Sequence, residues 1–178
     1  MKWLKSFWKA FKSEWVKADQ PAEGSRITFT PRAQQALALA KKESIRLHHQ
    51  FVGTEHILLG VIALGQGCAF NVLVNLGINP DDLRKTIEAS INHGPDLENK
   101  ERGNYTPRVK MVLAIASNEA KTLHHHYVGT EHLFLGLLGE SGGMAGKILR
   151  ENYHLNLAEV RKKVLKELDP NFGTGDKK

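Results

Sequence analysis

The chain has 178 residues, with 25 Lys plus Arg against 19 Asp plus Glu and a formal charge of +6, the length of one ordinary domain or of two small ones sharing a core. Five lysines against Glu14 place +4 of that excess in residues 1–17, so the rest is near neutral and no nucleic-acid partner is expected. Cys68 is the only cysteine, which rules out an intrachain disulfide, a CxxC redox pair and a cysteine-rich zinc site and fits a reducing compartment.

Residues 1–17, MKWLKSFWKAFKSEWVK, put Trp3, Leu4, Phe7, Trp8, Phe11 and Trp15 on one helical face, with Lys2, Lys5, Lys9 and Lys12 opposite or flanking. The lysines recur too often for a secretory apolar core of about 7–15 residues, and no run in the chain reaches the roughly 18–20 apolar residues of a membrane span. An aromatic-and-lysine amphipathic helix is the pattern of an interfacial membrane helix. The same face would also serve for folding back onto the protein's own domain or for docking into a partner's groove. Residues 18–28 read as a linker.

Beyond it the chain repeats itself. Residues 29–62, FTPRAQQALALAKKESIRLHHQFVGTEHILLGVI, align without a gap to 105–138, YTPRVKMVLAIASNEAKTLHHHYVGTEHLFLGLL, at an offset of 76 with 17 of 34 positions identical. Two such copies predict pseudo-twofold packing of two helical subdomains. In the first copy Thr30-Pro31 is an N-cap followed by proline, opening a helix with apolar or small positions at helical spacing. Gly53-Thr54 opens a second, 55–64, apolar almost all round and hence buried. A third, 68–76, stops at Gly77, and Asn79-Pro80 begins a fourth to about Ile91. The second copy gives helices near 107–124, 130–139, 144–152 and 157–168. Polar residues 92–104 form a linker, and 169–178 a tail that should fray. No period-2 strand of useful length is present, so the fold class is all-α: two four-helix repeats, 29–91 and 105–168, plus the N-terminal amphipathic helix.

At TPR…LHH…VGTEHILLG, written twice, residues 29–168 resemble the Clp N-terminal repeat domain, which stands at the front of Clp-type AAA+ unfoldases. The resemblance implies a compact helical module that binds adaptor and substrate proteins for an ATPase ring. No GxxxxGK[ST] phosphate loop occurs in this sequence, so the expectation is a free-standing Clp repeat protein, an accessory factor or regulator of Clp ATPase or peptidase, with no cofactor and no catalysis of its own. The alternative is a membrane-associated sensor or decoy that binds tagged proteins without touching a protease. The expected location is the cytoplasm, at the inner membrane face if residues 1–17 bind lipid.

The resemblance also points to Glu55 and Glu131 in the two GTEH motifs, since in the Gram-positive unfoldase this glutamate contacts the guanidinium of phosphoarginine on tagged substrates. A carboxylate in a first helical turn also opposes the helix dipole with no ligand at all, worth about 0.3–1 kcal/mol. Thr30 and Thr106 open helices whose free N–H groups suit a phosphate, with Arg32 and Arg108 in the first turn. Whether these helix starts lie beside the glutamates is not readable from the sequence. His48, His49, His56, His124, His125, His126 and His132 cluster where each copy turns from its first helix into its second. Neighbouring helical positions diverge by about 100° and HExxH is missing, which favours capping over a metal site. Cys68 reads as a small core residue, and no GxSxG elbow or paired-acid set suggests an enzyme.

Overall fold

A computed structural model describes residues 28–92 and 103–169. The helix predicted over 1–17, with Trp3, Leu4, Phe7, Trp8, Phe11 and Trp15, lies outside the described residues, as do most of the two linkers and the tail.

Eight helices carry the described chain: α1 Pro31–Arg46, α2 Thr54–Leu64, α3 Cys68–Asn75 and α4 Pro80–Ser90 in the first copy, then α5 Pro107–Thr122, α6 Thr130–Gly139, α7 Met144–Glu151 and α8 Leu157–Leu168. Their starts are chemically explicit. Thr30 Oγ1 accepts from Ala33 N at 3.2 Å and Thr106 Oγ1 from Val109 N at 3.3 Å, each with proline in the first turn. Asn79 and Asn156 cap α4 and α8 in the same way. The ends of α1 and α5 are less ordinary. His48 and His124 take the left-handed conformation at φ 58 and 57, and the following amides return to Ser44 and Ala120 carbonyls at 2.8 Å. This is the helix stop that glycine usually supplies, made here by histidine.

The first and second helices of each copy approach closely because small residues line the seam. A Cβ on Gly60 would fall against the backbone of Ala36 and Ala40 on α1, and one on Gly136 against Val112 and Ala116 on α5. Buried α2 and α6 then form the centre of one apolar cluster that includes Leu37, Leu58, Leu113, Leu133 and Phe134. Among the described residues no single helix is long and apolar enough to cross a membrane.

The copies are interlocked. α3 packs against α6 and α8 of the other copy, and α7 packs against α2 and α4. Four two-residue strands, invisible to a period-2 reading, stitch the same seam: β1 (Thr28–Phe29) runs parallel to β4 (Tyr127–Val128), and β2 (Phe51–Val52) to β3 (Asn104–Tyr105). Each strand pairs with the opposite copy. Matching ion pairs brace the periphery: Glu43 takes Arg84 and Arg46, and Glu119 takes Arg161 through two bonds of 2.7 and 3.0 Å. Burial works to raise the Glu43 carboxyl, but the hydrogen bonds from Arg84 and Arg46 prevail and hold it below the usual carboxylate range.

Candidate functional site

The strand pairing decides which helix start meets which glutamate. Thr106 N donates to Val52 O at 3.1 Å and Thr30 N to Val128 O at 2.9 Å, so each TPR segment is anchored one step before the opposite copy's GTEH turn. Glu55 therefore shares an open depression of about 620 Å³ with Thr106, Pro107 and Arg108, walled by Met111 and Met144. On the other side the Arg32 side chain lies across Gly67, next to Thr130 of the GTEH turn that carries Glu131. The sequence-chosen residues thus meet across the copies: Glu55 with Thr106 and Arg108 around one depression, and on the other side Arg32 near Thr130, the residue before Glu131, with Thr30 bonded to Val128.

Each GTEH turn has its own construction. Gly53 and Gly129 stand at the N-cap, and a Cβ on either would strike the glutamate that folds back over it. The hydroxyls of Thr54 and Thr130 face their neighbouring carboxylates at 3.4 and 3.5 Å. They also reach across the seam, Thr54 Oγ1 accepting from Ala145 N at 3.3 Å and Thr130 Oγ1 from Ala69 N at 3.4 Å. One threonine thus ties the glutamate's turn to the first turn of the opposite copy's third helix.

The histidines complete the turn. Gly53 N donates to His56 Nδ1 at 2.8 Å, which places the imidazole proton on Nε2. His56 Nε2 then donates to His49 Nδ1 at 2.8 Å, and His49 Nε2 to the Asn92 carbonyl at 2.6 Å. The second copy repeats the arrangement, from Gly129 N to His132 at 2.9 Å and from His132 to His125 at 3.0 Å, with His125 stacked on Tyr127. Burial holds both His56 and His132 down at about 4, helped by the charge of His49 or His125. They are neutral at pH 7, so the 3.3 Å approaches to Glu55 and Glu131 are not ion pairs there.

Two clusters, His49–Glu55–His56 and His125–Glu131–His132, bring three metal-type donors within 4.8 Å. Both nitrogens of His56 and of His132 are engaged, one by a backbone N–H and one by a neighbouring imidazole, so a metal would first have to displace the helix cap. This chemistry makes them relays that fix the turn.

The two glutamates differ. Glu55 keeps 18 % of its side chain exposed and Glu131 only 7 %. Burial pushes the Glu131 carboxyl up, against its own backbone amide, His125 and Thr130, which pull it down. Cys68 opens α3 half-buried, with its thiol pushed up to about 12, chiefly by burial, which disfavours the nucleophilic thiolate.

Sequence reasoning missed Glu140. It is buried, its Oε1 accepting from Arg108 Nη1 at 3.0 Å and Gly142 N at 3.1 Å. The available signal was a break in the repeat: a glutamate stands where the first copy has Leu64. The methionine walls were missed for the same reason, Met111 and Met144 replacing Gln35 and Cys68.

Residues 28–152 and 104–171 match the Clp repeat (R) N-terminal domain family. Over 141 residues, 79 % of the chain, it is 51 % identical to the probable ATP-dependent Clp protease ATP-binding subunit of Chlamydia pneumoniae. Over 143 residues it is 43 % identical to the negative regulator of genetic competence ClpC/MecB of Bacillus subtilis (strain 168). The chain spans 17 % of the length of each relative. Among solved structures, the N-terminal domain of the caseinolytic protease associated chaperone ClpD from Arabidopsis thaliana superposes with a TM-score of 0.62 at 26 % identity, covering 79 % of this chain and 97 % of that one. The N-domain of ClpV from Vibrio cholerae shares the fold, with a TM-score of 0.68 at 18 % identity over 85 % of this chain and 96 % of that one. The duplicated TPR and GTEH motifs, the interlocked eight-helix body and these matches agree: the chain belongs to the Clp repeat N-terminal domain family.

Proposed function

We propose that this protein is a recognition module for Clp-type ATP-dependent chaperone and protease machinery, binding adaptor or substrate proteins. A Clp repeat N-terminal domain is a non-catalytic module. Its work is binding. The observation that carries this reading is the crossed assembly of Glu55 with Thr106 and Arg108 around one open depression, with Arg32 brought near the Thr130–Glu131 turn on the other side.

A carboxylate near a helix N-terminus and an arginine offers complementary charge to both ends of a phosphoguanidinium. Phosphoarginine on tagged proteins is the ligand class this supports, with the module acting in the cytoplasm as an accessory factor of a Clp ATPase or peptidase. The test is calorimetric titration of the full chain with a phosphoarginine-bearing peptide. Binding should fail when Glu55→Ala and Glu131→Ala are combined, and unchanged affinity would overturn the assignment.

The alternative, a membrane-placed sensor or decoy with no protease contact, draws on the aromatic-and-lysine face of residues 1–17. A lysate pull-down with full-length protein and with protein lacking residues 1–24 separates the two. Clp subunits recovered in both cases favour the accessory role. Co-sedimentation with anionic vesicles at low salt, without Clp subunits, favours the sensor.

A further inference from the structure

A second depression, of about 550 Å³, opens between α3 and α8 and shares no lining residue with the one at Glu55. Val72 and Asn75 line it from α3, and Lys163, Lys166 and Glu167 from α8. Glu167 is already engaged, its two oxygens accepting from Asn71 Nδ2 at 2.8 Å and Asn75 Nδ2 at 3.0 Å. Lys163 and Lys166 are exposed, with no ion pair or hydrogen bond among the described residues.

The pseudo-equivalent place, between α4 and α7, is bridged by a side chain. Thr86 and Ala89 stand there in register with Lys163 and Lys166. Tyr153, packed against the core, brings its hydroxyl to 3.1 Å from Thr86 Oγ1. A difference in length supplies this tyrosine. The third helices start 76 residues apart, at Cys68 and Met144, but the caps of the fourth, Asn79 and Asn156, are 77 apart. Tyr153 lies in the longer connection. Its counterpart in the shorter one is Gly77, at φ 78 and with open space where a Cβ would stand.

We infer that the α3–α8 groove is a docking site for an acidic segment of a partner protein, which brings the aromatic ring that this side of the molecule lacks. A tyrosine of the partner enters between the two helices over Val72, its ring against the methylene stems of the lysines. Carboxylates on either side of it meet the two ammonium groups. Charge selects this occupant. Two cations line the groove, and its one carboxylate is held by asparagine amides, so an anionic segment gains contacts that a cationic one cannot make. Residues 1–17 carry aromatic rings but also five lysines, which sets them against this groove. The inference goes beyond the phosphoarginine reading and does not depend on it, since the two depressions have no residue in common.

The experiment is an NMR titration of the full chain with three end-blocked peptides: Glu-Asp-Tyr-Glu-Asp, the same peptide with alanine for tyrosine, and Lys-Lys-Tyr-Lys-Lys. The acidic tyrosine peptide is expected to shift the amide signals of Val72, Asn75, Lys163 and Lys166 and to leave those of Glu55 and Thr106 in place. Lys163→Thr combined with Lys166→Ala, which copies Thr86 and Ala89, should weaken it about tenfold, the range of two exposed charge pairs. Both lysines are exposed, so this variant is expected to keep the spectrum of the folded chain. The alanine peptide should bind about tenfold more weakly, for want of the buried ring, and the basic peptide not at all. Equal binding of the alanine peptide, or undiminished binding of the acidic tyrosine peptide to the double variant, would overturn the inference. So would phosphatidylglycerol vesicles that perturb these signals when no peptide does, because the lysines would then serve a lipid surface.

Discussion

His56 and His132 occupy the third position of α2 and α6, where the side chain accepts from the N-cap amide, a role more often given to Glu or Gln. Both are buried and neutral, and that makes the fold pH-sensitive. With folded values near 4 against an ordinary 6.5, the folded protein binds fewer protons than the unfolded chain between those limits. Their stabilisation is complete above about pH 6.5 and is lost as pH falls towards 4, on the order of 2–3 kcal/mol per histidine across the window. Glu131, raised by burial, works in the opposite sense, since it takes up its proton more readily when folded. It is one group against two. The urea midpoint should therefore fall between pH 7 and pH 5 with an unchanged slope. His56→Gln with His132→Gln, which keeps an acceptor for the cap, should flatten the dependence. A midpoint constant over that range would sink the account.

At the scale of the element, the close seam between α1 and α2 depends on Gly60. An alanine there would gain about 1 kcal/mol in helix propensity, yet its Cβ would lie 2.7 Å from Ala40 N and against the Ala36 carbonyl. Backbone cannot rotate away, and overpacking of this kind costs about 1–3 kcal/mol. Gly60→Ala is thus expected to lower the melting temperature, and Gly136→Ala, with 3.2 Å to Ala116 N, to lower it less. A raised melting temperature for Gly60→Ala would show that the helices separate freely. The opposite sign is expected at the end of α5. His124 is exposed at φ 57, a conformation that costs a side-chain-bearing residue about 1–2 kcal/mol. Glycine there loses more freedom on folding, so His124→Gly should stabilise by a net of about 0.5 kcal/mol. Thermal unfolding of this single variant checks the sign.

These helices were legible because their signals are local and repeated: Thr-Pro and Asn-Pro starts, apolar spacing, and a 76-residue echo. The crossing was not legible, because two-residue strands carry no period and nothing within one copy names its partner across the seam. The six residues of the candidate site were readable as types, while the sets they form depend on β1–β4 and β2–β3. Glu140 shows the limit most clearly. A lone glutamate after a buried helix reads as a solvated helix end. Only the fold, by laying the start of α5 against the end of α6 in the same copy and so bringing up Arg108, turns it into a buried ion-pair partner.

At the scale of the whole molecule, the same crossing predicts how the protein folds. A copy of about 65 residues is near the size at which a lone core becomes marginal. Here each copy gives its third helix to the other: α3 lies on α6 and α8, and α7 on α2 and α4. The start of each third helix is also held by the opposite threonine, Thr54 to Ala145 and Thr130 to Ala69. Cutting the chain between residues 96 and 97 would leave each fragment with an apolar face of α2 or α6 in water and an unpaired strand on each side. Neither fragment should show the helical circular dichroism of the intact protein. An equimolar mixture should recover it, since every cross-seam contact is non-covalent. Unfolding of the intact chain should accordingly be one cooperative transition, with no step for either copy. A fragment that unfolds cooperatively alone would show the copies to be true subdomains, and the crossed sites would then be a contact between two independent bodies rather than a consequence of one core.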